Sequence, residues 1–368
     1  MNKILKWITG LLVLAVLVKG AAVKDWGFQL LLKSRYPAAA RPDAVITLGR
    51  DPSYKIYQKY RYAYEKYGYL FLVGNENRDG QSDGGKAEPK ARDAAASQDG
   101  TALPSGAAAL AAGLTYSMEQ LMDYDFLMKH FYSVHSSTTA GRDVMNAETF
   151  LSKDLRLVKD PSVPQILIYH THTQETYADY GPENRDASVV GIGNYLTSLL
   201  QQKGWNVIHD TSTYDIKSGK LDRNRAYTYA LEGITAILQE NPSIQVILDL
   251  HRDGVRENVH LVSEVNGKPT SSIMFFQGMS RTPDGTIEYL PNPYLEDNLA
   301  FAFQMQLGAA GRYPGLTRKI YMKGLRYNLH LRPRSALIEV GAQTNTYEEA
   351  RNAMEPLAEL LDMVLQGN

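Results

Sequence analysis

Three short apolar runs in this chain each stop at a group that can hold a metal or carry a proton. Ile166-Leu167-Ile168-Tyr169 runs into His170, His172 and Glu175, the run 245–250 delivers His251, and Ala336-Leu337-Ile338 leads to Glu339. Short β-branched apolar runs with polar ends read as buried strands. Between them the periodicity changes to that of helices. Val189, Ile192, Leu196, Leu199 and Leu200 share one helical face, and Gly204 is a suitable stop. Further helices are predicted over 118–131, over 223–239 before Asn241-Pro242, over 295–310 and over 347–365. Residues 258–278 predict a hairpin with Asn266-Gly267 as its type I′ turn and the apolar run 273–278 in its second arm. Strands alternating with helices predict an α/β fold with a mostly parallel sheet flanked by helices. Sites in such sheets form at the C-terminal edge of the strands, where these polar groups fall.

Which chemistry is open to those groups depends on what the chain lacks. It has no cysteine, so disulfides, thiolate ligands and thiol nucleophiles are excluded, and a metal must use His and carboxylate. Catalytic zinc commonly takes three such ligands and leaves one position open. His172, Glu175 and His251 make that set. His170 stands two residues before His172 and can share its strand face, so either His or both could be ligands, the other orienting a ligand or the substrate.

Glu339 lies inside an apolar strand, where a carboxylate needs an ion pair, a ligand role or work as a general base. Arg326 and Arg334 are the pairing candidates. Arg252, Asp253 and Asn328 are candidates for binding substrate or orienting ligands, and Asp249 can share the face of His251. His130, His135, His209, His260 and His330 stand at no convincing ligand spacing and read as packing or surface residues. No phosphate-binding glycine loop, G-x-S-x-G elbow or HExxH helix occurs, which argues against nucleotide use, serine esterase chemistry and zincin-type proteolysis. The net charge of −1 gives no basic excess for nucleic acid.

The chain divides by composition. Residues 1–24 carry Lys3 and Lys6 ahead of an apolar run and read as a signal-anchor or a cleaved signal peptide, with Gly20-Ala21-Ala22 as the cleavage alternative. Residues 25–74 form a Tyr-rich helical segment with Tyr57, Tyr60, Tyr64 and Tyr67 at helical spacing. Residues 75–112 are Gly, Ala, Asp, Ser and Lys-rich, the composition of a disordered linker. Residues 113–154 lead into a catalytic domain over 155–368.

Taken together, ILIYHTHTQETY, DLHRDG and LIEVGAQTNTYEEA, with HFYSVHSSTTA and NAETFLSKDL ahead of them, resemble the stage II sporulation protein P family. The resemblance spans Phe126 to the C-terminus. It implies a single-pass, membrane-anchored peptidoglycan hydrolase outside the cytoplasm, with a core like that of zinc N-acetylmuramoyl-L-alanine amidases. It also implies cleavage of stem peptides from glycan and of peptide crosslinks during engulfment, with the glycan-cleaving sporulation protein D as partner. Residue by residue it gives His170 and His172 with Glu175, then His251, then Glu339 as catalytic carboxylate. In the related amidases one zinc carboxylate opens the helix after the first strand, which makes Asp186 the alternative to Glu175. A catalytically inactive wall-binding or scaffold protein of the same fold is the competing expectation.

Overall fold

The computed structural model describes residues 116–367. The signal segment, the Tyr-rich segment and the linker expected above lie outside the described residues. Two short helices open the described chain, α1 (Met118–Met122) and α2 (Tyr124–Phe131). The sequence predicts one helix here, but Asp123 is extended and its side chain accepts the Phe126 amide, capping a second helix instead of continuing the first. Strand β1 (Tyr132–Val134) and helix α3 (Ala147–Ser152) follow.

The rest alternates. Strand β2 (Ile166–Tyr169), helix α4 (Val189–Gln202) and β3 (Val207–His209) precede a small hairpin, β4 (Ile216–Lys217) with β5 (Lys220–Leu221). Helix α5 (Arg223–Glu240) leads to β6 (Val246–Asp253). A hairpin of β7 (Val262–Val265) and β8 (Lys268–Ser271) then turns through Asn266 and Gly267, both left-handed, as a type I′ turn requires. Strand β9 (Ile273–Gly278), the small pair β10 (Arg281–Thr282) and β11 (Gly285–Thr286), helix α6 (Leu295–Arg312), β12 (Ile320–Lys323), β13 (Ser335–Ala342), α7 (Tyr347–Asn352) and α8 (Met354–Gln366) complete the chain.

Seven strands form one mixed sheet in the order β1-β12-β9-β13-β6-β2-β3, and every neighbouring pair is parallel except β9 with β13. The sheet is therefore two parallel blocks of opposite direction. The block β13-β6-β2-β3 brings the C-terminal ends of four strands to one edge, and those ends carry Glu339, His251, His170 and His209.

Strand alternation sorts the two faces. Ile166, Ile168, Leu248, Leu250, Ile338 and Val340 join the main core under α4, α6 and α8. Tyr169, Asp249, His251, Leu337 and Glu339 alternate with them and belong to the opposite face. Helix α6 is buried almost all round, as expected of a helix inside the core. Its Phe303 meets the rings of Phe131 at 5.4 Å and Phe150 at 5.9 Å, which ties the lead-in segment to the α/β core. Truncating Phe303 to Ala would cost about 3–5 kcal/mol.

Candidate active site

The site begins where β2 peels away from β6. Their last ladder pair is Tyr169 with Asp249. Beyond it, side chains replace the ladder hydrogen bonds. The Thr171 amide donates to Asp249 Oδ1 at 2.8 Å and the Thr171 hydroxyl to Oδ2 at 2.7 Å, while His170 Nδ1 lies 2.9 Å from the Leu250 carbonyl. A carbonyl only accepts, so the neutral His170 carries its proton on Nδ1, and its Nε2 lies 2.8 Å from His209 Nε2. His209 Nδ1 in turn sits 2.9 Å from Asn194 Oδ1. Gly193 makes this stack possible: a Cβ there would lie 2.7 Å from His209 Nε2 and 2.8 Å from His170 Nε2. Burial first, then the neighbouring His209, pushes His170 down to about 3, and burial pushes His209 down to about 4, so both rings are neutral.

Across the opening lies a second set. His172, Glu175 and His251 are buried and can each offer one ligand atom within 4.8 Å of the others. Glu175 stands between the rings, with Oε1 3.4 Å from His172 Nδ1 and Oε2 3.4 Å from His251 Nδ1. The Arg252 amide donates to Glu175 Oε2 at 3.0 Å. The Glu175 carbonyl accepts the Val189 amide, so Glu175 is fixed at the start of α4 despite standing far ahead of it in sequence. On its other side His251 Nε2 lies 2.8 Å from Asp249 Oδ1. The contact is an ion pair, since His251 Nε2 makes no hydrogen bond of ordinary geometry, and a carboxylate beside the far nitrogen is a usual way to orient an imidazole ligand.

The electrostatics favour a cation. Burial alone would lower His251, yet the Asp249 and Glu175 carboxylates outweigh it and raise His251 well above the ordinary histidine value. Burial would raise Glu175, but His251 and His172 hold it well below the usual carboxylate range. The pocket thus already stabilises one positive charge, carried by a proton. Two imidazoles and one carboxylate are the donor set of a catalytic zinc, and His172 Nε2 is buried without a hydrogen-bond partner. The residues fit that ion.

Glu339 faces this group from β13, in register with His251 of β6. Its Oε2 is buried and has no hydrogen-bond partner. Burial pushes the carboxyl up to about 8, with His251 pulling downward against it. Arg334 binds the Asp154 and Leu155 carbonyls instead, and the arginine acting on Glu339 is Arg318. The ladder shifts register just past Glu339, at Gly341, whose φ of +60° and lack of a side chain fit the irregularity.

The other sequence candidates have structural partners. Arg252 Nε donates to the Thr176 carbonyl at 2.7 Å, Asp253 pairs with Arg318 at 2.7 Å, and Asn328 donates to the Tyr227 carbonyl at 2.8 Å. Asp186 is exposed in the single turn before α4 and stands outside the metal group, so Glu175 is the carboxylate that meets the two histidines. His170 is also outside that group, with both nitrogens engaged. His260 pairs with Glu349 at 2.8 Å, His130 stacks on Phe126 and His135 bonds to Ser137. His330 is buried, and burial lowers it well below the ordinary histidine value.

The candidate metal group and Glu339 share a cavity of about 230 Å³ also lined by Tyr227, Phe276 and Leu337. Tyr227 was invisible in the sequence, since its stretch reads as an ordinary helix, yet its ring packs 5.6 Å from His172. Asp215 was also missed: buried, it accepts the Thr173 hydroxyl at 2.7 Å and the Gln174 amide at 3.1 Å, shaping the ligand loop.

A model of the stage II sporulation protein P family matches residues 86–362. The chain belongs to that family. The stage II sporulation protein P of Bacillus subtilis (strain 168) is 25% identical over 210 residues, covering 53% of this chain and 49% of the relative. The match therefore spans about half the length of that family member. Among solved structures, the catalytic domain of the amidase CwlV from Bacillus (Paenibacillus) polymyxa var. colistinus is similar at 13% identity and a TM-score of 0.34, covering 55% of this chain and 96% of that one. The CwlD amidase of Clostridioides difficile, solved with the GerS lipoprotein, is similar at 15% identity and a TM-score of 0.35, with 55% and 95% covered.

Proposed function

We propose that this member of the stage II sporulation protein P family is a zinc-dependent peptidoglycan hydrolase. It cleaves the amide between N-acetylmuramic acid and L-alanine, with peptide crosslinks as a second target. The single observation that carries the reading is the placement of Glu339 beside His172, Glu175 and His251 in one cavity. Family membership selects the sporulating cell wall as the setting.

His172, Glu175 and His251 would hold the zinc. When bound, zinc polarises an amide carbonyl and acidifies water. The chain's own residues do the rest. Glu339 Oε2 takes a proton from water and returns one to the departing amine: the oxygen is buried and unpartnered, and although burial lifts the carboxyl to about 8 in the metal-free protein, a cation held beside it would favour the ionised base. Asp249 and the Arg252 amide hold His251 and Glu175 in place. Tyr227 and Phe276 give the cavity an apolar wall. The reading is completed by two expectations that rest on sequence: attachment to the membrane through residues 1–24 with the catalytic domain outside the cytoplasm, and work alongside the glycan-cleaving sporulation protein D.

The test is digestion of purified sacculi by the zinc-loaded protein with mass spectrometry of the products. Release of intact stem peptides with a free L-alanine amine is expected. Products opened only within the peptides would replace the amidase reading by an endopeptidase one, and no release would favour the wall-binding scaffold.

A further inference from the structure

Beyond the apolar wall the cavity continues to the opposed block of the sheet. In β12, Ile320 and Met322 enter the main core, whereas Tyr321 packs 5.6 Å from Phe276 on the cavity side. Lys323 follows Tyr321 by two, lies on the same face and lines the cavity. The strand registers run from Glu339 of β13 to Met274 of β9, and from Gly278 of β9 to Lys323 of β12. That is two strand spacings and four residues of rise, about 16 Å between the two Cα atoms by strand geometry. A lysine side chain covers about 6 Å of this, so the remaining gap is about two or three extended peptide residues.

The charge along the cavity is uneven. Its lining includes Arg223, Arg252 and Lys323 against Glu175 and Glu339, although the whole chain carries −1. Two of the cations belong to the metal end: Arg223 is 3.6 Å from Glu175, and Arg252 is tied to the Thr176 carbonyl. Lys323 is the cation of the far end, beyond the apolar wall.

We propose that Lys323 marks a substrate subsite for a free carboxylate carried by the peptide two or three residues from the bond that is cut. The proposal rests on the amidase reading above and names what that site recognises: an acidic peptide laid across β13, β9 and β12, with its amide end at Glu339 and its carboxylate at Lys323. In a wall stem peptide the groups at that distance are the α-carboxylate of γ-linked D-glutamate and the free carboxylate of a diamino acid.

The experiment compares three synthetic substrates with the zinc-loaded protein: muramoyl-L-alanyl-γ-D-glutamyl-diaminopimelate, and the same compound with either the glutamate α-carboxylate or both diaminopimelate carboxylates converted to carboxamides. Wild type should show KM raised roughly tenfold or more for one of the two amides, the size of a lost charge-assisted contact. In Lys323→Met the acid-to-amide ratio should collapse toward one, and Lys323→Arg should restore it. Zinc content and circular dichroism of both variants report whether they are folded. Equal KM for all three substrates in wild type would overturn the subsite and leave the amidase reading standing. Discrimination retained by folded Lys323→Met would overturn the role of Lys323. No cleavage of any of the three would overturn the amidase reading and this proposal with it.

Discussion

Two histidine pairs stand side by side at one sheet edge, and they differ in what their lone pairs can do. His172 and His251 have ring centroids 5.0 Å apart, and His170 and His209 have theirs 5.1 Å apart. Each pair joins a residue following β2 to one from another strand. In the inner pair both nitrogens of His170 are engaged: Nδ1 donates to the Leu250 carbonyl, Nε2 meets His209, and Gly193 leaves no room for change. In the outer pair both rings turn toward the Glu175 carboxylate, and His172 Nε2 has no partner at all. Identical side chains at nearly identical separation thus divide into a brace and a candidate ligand set. Availability of a lone pair separates them, and spacing does not.

The largest effect should come from the group facing the outer pair. Glu339→Gln removes the proton carrier while keeping the shape, and turnover on sacculi should fall by about 10²–10⁴ with zinc content unchanged. A folded variant that digests walls at the normal rate would remove Glu339 from the mechanism. Next comes the support behind His251. Asp249→Asn weakens the carboxylate that orients the ring, and zinc affinity in a chelator competition should drop about 10–100-fold. Unchanged affinity would make Asp249 only a clasp for Thr171.

The inner pair should respond in stability instead. Gly193→Ala forces a methyl against both rings and should cost about 1–3 kcal/mol in urea unfolding. Neutral cost would mean that the stack is loose. The pair also predicts a sign with pH. His170 and His209 resist protonation in the folded protein, at about 3 and about 4, whereas the unfolded chain takes up protons near the ordinary value of 6.5. Their contribution is therefore present above pH 6.5 and is lost as pH falls toward 4, with a slope of up to about two protons. The raised His251 acts in the opposite direction in metal-free protein. The difference between wild type and a His170→Asn, His209→Asn double variant, measured in chelator, isolates the pair, and a difference independent of pH between 7 and 5 would contradict it.

Much of this was legible in the residues. The strand tips carrying His172, His251 and Glu339 stood out because an apolar run that stops at an ionisable group is costly unless the group has work to do. The helices read correctly wherever their apolar stripe and stops agreed, as at Gly204. What could not be read depends on partners far away in sequence. Ile273–Gly278 reads as a hairpin arm, yet it is a central strand that joins the two blocks, because an apolar run looks alike whether its neighbour is parallel or antiparallel. The closing helix is two helices, with the capping box of Thr346 and Glu349 starting the first and the break falling at Ala353. His170 and His172 could not be told apart either, since the distinction lies with the Leu250 carbonyl and with His209, neither of which is near them in sequence.

Zinc per chain, determined by elemental analysis after loading and gel filtration, tests the central claim most directly. Wild type and His170→Ala should each hold one ion, while His172→Ala and His251→Ala should hold close to none. Equal loss in His170→Ala, or full occupancy in His251→Ala, would contradict the assignment of the outer pair as the metal site.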